Sequence, residues 1–137
     1  MKKYSAIIFL LCIFILVFYA CSFSREDRDK IRDLRFTVVD DREIPQELMS
    51  LIEEKKQGVF KLTFHTDRSS YLVVGYGEQP TGGYSISVNE FYLTSNAAIL
   101  QTTLIGPSQT EAPSNEPSFP YIVIMTDYLR ETPVIFQ

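Results

Sequence analysis

Three groups of residues in this 137-residue chain have types and spacings that could carry chemistry. The first is Gly75-Tyr76-Gly77-Glu78-Gln79-Pro80-Thr81-Gly82-Gly83-Tyr84, with four glycines, a proline and two tyrosines in ten residues. Gly75 and Gly77 share the Gly-x-Gly opening of dinucleotide-binding loops, which seat a pyrophosphate on the amide donors of a helix that starts directly after the glycines. Here Pro80 to Gly83 lead instead into Tyr84-Ser85-Ile86-Ser87-Val88, whose alternation is that of a strand, so nucleotide binding is set aside. Glycine reaches positive φ without the roughly 1–2 kcal/mol penalty of other residues. The segment therefore reads as a hairpin-like loop shaped by its backbone, with Gly82-Gly83 at the tight turn.

The second group is acyl-transfer chemistry around the one histidine, His65, with Asp67 and nearby serines. No nucleophile elbow accompanies them. In Lys61-Leu62-Thr63-Phe64-His65-Thr66 the histidine is out of phase with Leu62 and Phe64, which predicts a solvent-facing ring. The third group is metal chemistry. Glu78, Glu90, Asp127 and Glu131 are scattered, no Asp/Asn ladder for calcium is present, and there is no second histidine. No catalytic residues, no metal and no cofactor are expected, and the chain is not read as an enzyme.

The cysteines belong to the N-terminus. Met1-Lys2-Lys3 followed by the fifteen-residue apolar run Ala6 to Ala20 has the basic and apolar regions of an export signal. The run is short against the about 20 residues of a bilayer span. It ends in Phe18-Tyr19-Ala20-Cys21, which resembles a bacterial lipoprotein signal, implying cleavage after Ala20 and lipid attachment at Cys21; the alternative is a retained N-terminal helix. Either anchor puts the rest of the chain outside the cytoplasm, in the cell envelope. Cys12 lies in the apolar run, so no pair remains for a disulfide in the folded part.

The whole chain carries a formal charge of −4, and losing Lys2 and Lys3 makes the remainder more acidic. No basic cluster is interleaved with aromatics, so nucleic acid is not an expected partner. The expected organisation is a signal peptide at 1–20, then a lipidated cysteine, charged spacer and lead-in strand at 21–39, and one domain at 40–137. Pro45 to Lys56 reads as the helix, with Leu48, Leu51 and Ile52 on a face that packs on a sheet and Gly58 as the stop. Strands are expected at Arg35–Asp40, Val59–Thr66, Ser70–Tyr76, Tyr84–Leu93, Ala97–Gly106, Tyr121–Asp127 and Pro133–Phe136. Gly106 to Pro120 reads as a long proline-rich loop. The fold class is mainly β: a small sandwich or open barrel with one N-terminal helix.

From Ser69 to Thr110 the only charges are Glu78 and Glu90, while Tyr71, Tyr76, Tyr84, Phe91 and Tyr92 supply aromatic area. Depleted charge with tyrosine is the composition of a protein contact surface, and equally of strands half-buried in a core. The run Gly77-Glu78-Gln79-Pro80-Thr81-Gly82-Gly83-Tyr84-Ser85-Ile86, preceded by Tyr71-Leu72-Val73-Val74, resembles the C-terminal domain of the protease-complex subunit PrcB. Ile44-Pro45-Gln46-Glu47-Leu48, Gly106-Pro107 and Pro120-Tyr121 support the likeness, which spans about Asp40 to Asp127. The resemblance implies a non-catalytic accessory subunit of a secreted subtilisin-like serine protease. It makes Gly77, Gln79, Pro80, Thr81, Gly82, Gly83 and Tyr84 the candidate contact residues. A weaker likeness is to chagasin-type inhibitors of papain-like proteases, through Pro80, Thr81 and Gly83. Gln79 and Gly82 depart from that family's wedge, and its other two loops are missing. A small-molecule or glycan-binding surface using the tyrosines is the remaining alternative.

Overall fold

A computed structural model describes residues 29–109, 114–129 and 131–137. The proposed leader and the lipid site Cys21 lie outside the described residues. The strands are β1 (Arg32–Asp33), β2 (Thr37–Val38), β3 (Val59–His65), β4 (Ser69–Tyr76), β5 (Ser85–Leu93), β6 (Ala98–Ile105), β7 (Tyr121–Asp127) and β8 (Val134–Phe136). One helix, α1 (Gln46–Lys55), follows a 3₁₀ turn at Asp41–Glu43. The strands form two four-stranded sheets, ordered β1-β5-β6-β8 and β2-β7-β4-β3. All pairings are antiparallel except β6 with β8. Of the two expected architectures, the fold is the sandwich.

The layers follow from side-chain alternation. On β4, Leu72 and Val74 point between the sheets, where they meet Leu34, Phe91, Ala98, Leu100 and Ile124. Val73, on the opposite face, joins Val123 under Leu48 and Ile52 of α1. The uninterrupted run Leu72-Val73-Val74 is thus apolar on both sides because that sheet is covered on both sides. Leu48 and Ile52 are fully buried, one helical turn apart. The helix packs on a sheet as expected, through Leu48 and Ile52, while Leu51, the third residue of the expected stripe, is only half-buried.

On β5 the inward residues switch from the even positions Ile86 and Val88 to the odd positions Phe91 and Leu93. A register shift between Val88 and Glu90 absorbs the extra residue, so both pairs face inward. At the two hairpins a threonine does the same work. Thr66 Oγ1 accepts the N–H of Ser69 at 3.2 Å, and Thr94 Oγ1 accepts the N–H of Ala97 at 3.1 Å.

Three expectations change. The charged run before Phe36 is not all spacer, since Arg32–Asp33 pairs with β5 and Leu34 is buried in the core. Arg32, Leu34, Phe36 and Val38 alternate along a segment that passes from one sheet edge to the other, and the ring of Phe36 meets Phe91 edge-on at 6.0 Å. The stretch Gly77–Tyr84 is not a hairpin: β4 and β5 belong to different sheets, so it is an arch across the top of the sandwich. His65 does not simply face water. Its phase is opposite to Leu62 and Phe64, as expected, but in a sheet covered on both faces that phase points to the other sheet. There His65 Nδ1 lies 2.8 Å from the hydroxyl of Ser70, and its ring meets Tyr128 edge-on at 6.0 Å.

Candidate functional site

The arch is held at each step by a different element. Tyr76, the last residue of β4, donates its N–H to the Pro120 carbonyl at 3.0 Å, and its hydroxyl lies 2.7 Å from Thr102 Oγ1 on the other sheet. Gly77 follows with φ of +72° and is buried; a Cβ there would sit 3.1 Å from main-chain atoms of Gly58 and Val59. A side chain at this point would have to displace backbone, so glycine is required twice over, by conformation and by space. The turn lets Glu78 N–H reach the Gln57 carbonyl at the end of α1, at 3.2 Å.

Gln79 and Ser118 then exchange both main-chain bonds, at 2.8 and 3.0 Å, as a one-rung bridge. The Gln79 side-chain amide donates back to the Tyr76 carbonyl at 3.1 Å. Ser118 Oγ donates to the Thr81 carbonyl at 2.6 Å. A Cβ on Gly82 would approach Ser114 Oγ to 2.8 Å, Gly83 takes φ of +83°, and the ring of Tyr84 lies against Gly106. Lys56 meanwhile stands 5.7 Å over the ring of Phe119, joining the helix end to the same proline-rich segment. What remains outermost is Glu78, Pro80 and Gly83, which are exposed, flanked by half-buried Gln79, Thr81, Gly82 and Tyr84.

All seven candidate residues thus lie in one arch, but they divide by position. Gly77 is beneath it, shaping the path; Pro80 and Gly83 form its exposed tip. The residues that sequence reading missed are Ser118 and Gln57, which bond to the arch from outside it, and Ser114, whose hydroxyl stands where a side chain on Gly82 would lie. Nothing in Ser114-Asn115-Glu116-Pro117-Ser118 marks a hydrogen-bonding partner for Gln79, because a one-rung bridge leaves no alternation to read.

The surrounding chemistry is sparse. Ser70 and His65 have the spacing of a nucleophile and base, yet Ser70 is fully buried and its oxygen accepts the Leu129 N–H at 2.8 Å. The pair closes the turn after β7 rather than presenting a hydroxyl to substrate. Among the described residues no group of three or more His, Cys, Asp or Glu converges to hold a metal. A shallow cleft of about 160 Å³, lined by Arg35, Phe36, Thr37, Ser69 and Asp127 among others, lies at the opposite end of β4 from the arch. The marked electrostatic perturbation is at Tyr121, whose hydroxyl donates to Asp41 Oδ1 at 2.9 Å. Burial, then the Asp41 carboxylate, pushes its pKa up to about 12.

No helix of the described residues is long and apolar enough to cross a membrane. No curated protein and no solved structure matches this chain. A family model, PrcB C-terminal, matches residues 70–127, from the second residue of β4 to the last of β7. The match takes in the whole arch and the segment carrying Ser118 that pins it. That family suggests an accessory domain associated with a protease complex and is not known as a catalytic one. Residues 70–127, which hold the Gly-Glu-Gln-Pro-Thr-Gly-Gly-Tyr arch and the Ser118 that supports it, carry the match to the PrcB C-terminal domain family.

Proposed function

We propose that this protein is a membrane-anchored, extracytoplasmic accessory subunit without catalysis of its own, which binds an exported protease of the subtilisin-like serine class through the tip of the arch. The observation that carries the reading is the construction of the arch inside the family match. Its path is held by main-chain and side-chain bonds from Gln57, Ser118 and Pro120, while Pro80 and Gly83 stand clear. A loop ordered before it meets a partner loses less entropy on binding. Its tip carries one charge, Glu78, consistent with a contact centre depleted of charge.

The test is co-expression of the full chain with the secreted subtilisin-like protease encoded nearest its gene, followed by co-purification from membranes. The expected result is a complex that Gly83→Val weakens at least tenfold while the thermal midpoint falls by only a few degrees. Failure of the two proteins to associate overturns the protease reading, and a complex indifferent to Gly83 and Pro80 substitutions moves the contact off the arch. The anchor has its own test: mass spectrometry of the mature N-terminus should find acyl chains on Cys21, and an unmodified cysteine there removes the lipoprotein proposal.

A further inference from the structure

The two sheets have four margins among the described residues, and three of them are short. β1 and β2 have two residues each and β8 three. The fourth, β3, is seven residues long and pairs over its whole length with β4 on one side only. β1 covers only the Tyr92–Leu93 end of β5, so Ser85–Glu90 is also open on that side, but a register shift at Val88/Glu90 breaks its row, whereas β3 presents an unbroken seven-residue row of main-chain donors and acceptors. Its entrance is open: a side chain on Gly58 would meet nothing within 4 Å, and Val59 is 72% exposed.

The phase of that row is set by the hairpin. Thr66 N–H donates to the Ser69 carbonyl at 2.9 Å, and at the far end of β4 the Tyr76 N–H turns the other way, to Pro120. Tyr71, Val73 and Gly75 therefore direct their main-chain groups at β3, where they face Phe64, Leu62 and Phe60. The alternate residues Lys61 and Thr63 turn theirs to the free edge. Lys61 itself is occupied, donating its ammonium to the Phe136 carbonyl at 3.2 Å across the seam between the sheets.

We propose that two copies of this chain associate through β3, antiparallel, about a two-fold axis at Leu62. In this register Lys61 and Thr63 of one copy exchange main-chain bonds with Thr63 and Lys61 of the second. Phe60 lies opposite Phe64, Leu62 opposite Leu62, and Val59 opposite His65. The apolar row under α1 runs on from one copy into the other, and no two charges of like sign stand opposite. The neighbouring registers with the same bonding phase are worse. One sets Lys61 against Lys61, and the other sets it against His65. Only the register about Leu62 pairs all seven residues of the strand with its own copy, which fits a second copy better than an unrelated strand. The contact is isologous and closes at two.

The experiment uses the full chain in its membrane. Leu62→Cys should give an intermolecular disulfide under mild oxidation, because opposed residues at a non-hydrogen-bonded antiparallel site hold their Cβ atoms about 4.5–5.5 Å apart, near the range a disulfide spans. The crosslinked fraction should exceed several-fold that of the unsubstituted chain and that of Asn89→Cys on the other sheet. Adding Thr63→Pro removes an outward N–H and no bond to β4, and should return crosslinking to background. Sedimentation of the chain without added cysteine gives an independent reading. Thr63→Lys should shift dimer to monomer by opposing Lys61 of the second copy, and Lys61→Glu in the same chain should restore the dimer. Background crosslinking at Leu62→Cys, equal crosslinking at Asn89→Cys, or a monomer throughout overturns the proposal.

Discussion

The ring of Phe60 on β3 fills the space where a side chain on Gly75 of β4 would lie: a Cβ built on Gly75 would fall 2.1 Å from Phe60 Cε1. The two residues are direct cross-strand partners. A glycine in a central strand forfeits packing, and an aromatic laid over it from the neighbouring strand recovers that area. Gly75→Ala should therefore destabilise the domain by about 1–3 kcal/mol, the usual cost of overpacking. In a Phe60→Ala background the same substitution should cost far less. Denaturant midpoints of the four proteins in the cycle check this, and additive effects would show that the ring does not occupy the site.

Gly77 and Gly83 both take positive φ but differ in surroundings. Gly77→Ala adds a contact at 3.1 Å with backbone to the conformational penalty of about 1–2 kcal/mol. Gly83→Ala, at the exposed tip, carries the conformational penalty of its positive φ. Thermal melts should rank Gly77→Ala clearly below Gly83→Ala, and the reverse order would mean that the tip rather than the base of the arch is the tighter point.

Ser118→Ala removes the donor to the Thr81 carbonyl while leaving the main-chain bridge to Gln79 available. A loss of about 1 kcal/mol is expected. The informative measurement is amide hydrogen exchange: the Gln79 N–H, bonded to Ser118, should exchange faster, while the Val73 N–H at the centre of β4 should not change. Equal acceleration at both sites would show that Ser118 supports the whole sheet rather than the arch.

Tyr121 gives an alkaline prediction. Its folded pKa is raised from 10.0 to about 12, so the folded state holds this proton more tightly than the unfolded chain. The stabilisation is complete below about pH 10 and is lost as pH rises toward 12. Relative to the native protein, Tyr121→Phe should show a flatter dependence of the denaturation midpoint on pH in that window. Phenolate absorbance should also show one tyrosine fewer titrating late. An identical pH profile for the two proteins would show that neither burial nor Asp41 holds the Tyr121 proton in the folded state.

Much of the secondary structure was legible because it is a local pattern. Leu48 and Ile52 mark a helical face, Tyr121–Asp127 is a strand at its expected bounds, and the Thr66 and Thr94 turns sit between alternating runs. The β5 bulge was not read from the chain: a single strand over Tyr84–Leu93 hides the change of phase from Ile86 and Val88 to Phe91 and Leu93, which the pairing with β6 reveals. Arg32–Asp33 was not legible, since two charged residues form a strand only because β5 offers them an edge.

The order of residues alone determined the mainly-β class, the one helix, the glycine-rich segment after β4 as the distinctive one, and its family signature. Those depend on periods of a few residues and on glycines whose backbone needs are local. Tertiary structure decided that β4 and β5 part into different sheets, so that a loop resembling a hairpin is an arch. It also placed His65 between sheets and Phe60 over Gly75, and it brought Ser118 to Gln79. The reason is physical: alternation states which residues turn the same way, but not which sheet receives them. A hydrogen bond between distant segments such as Gln79 and Ser118 forms only once the packed layers have carried them together.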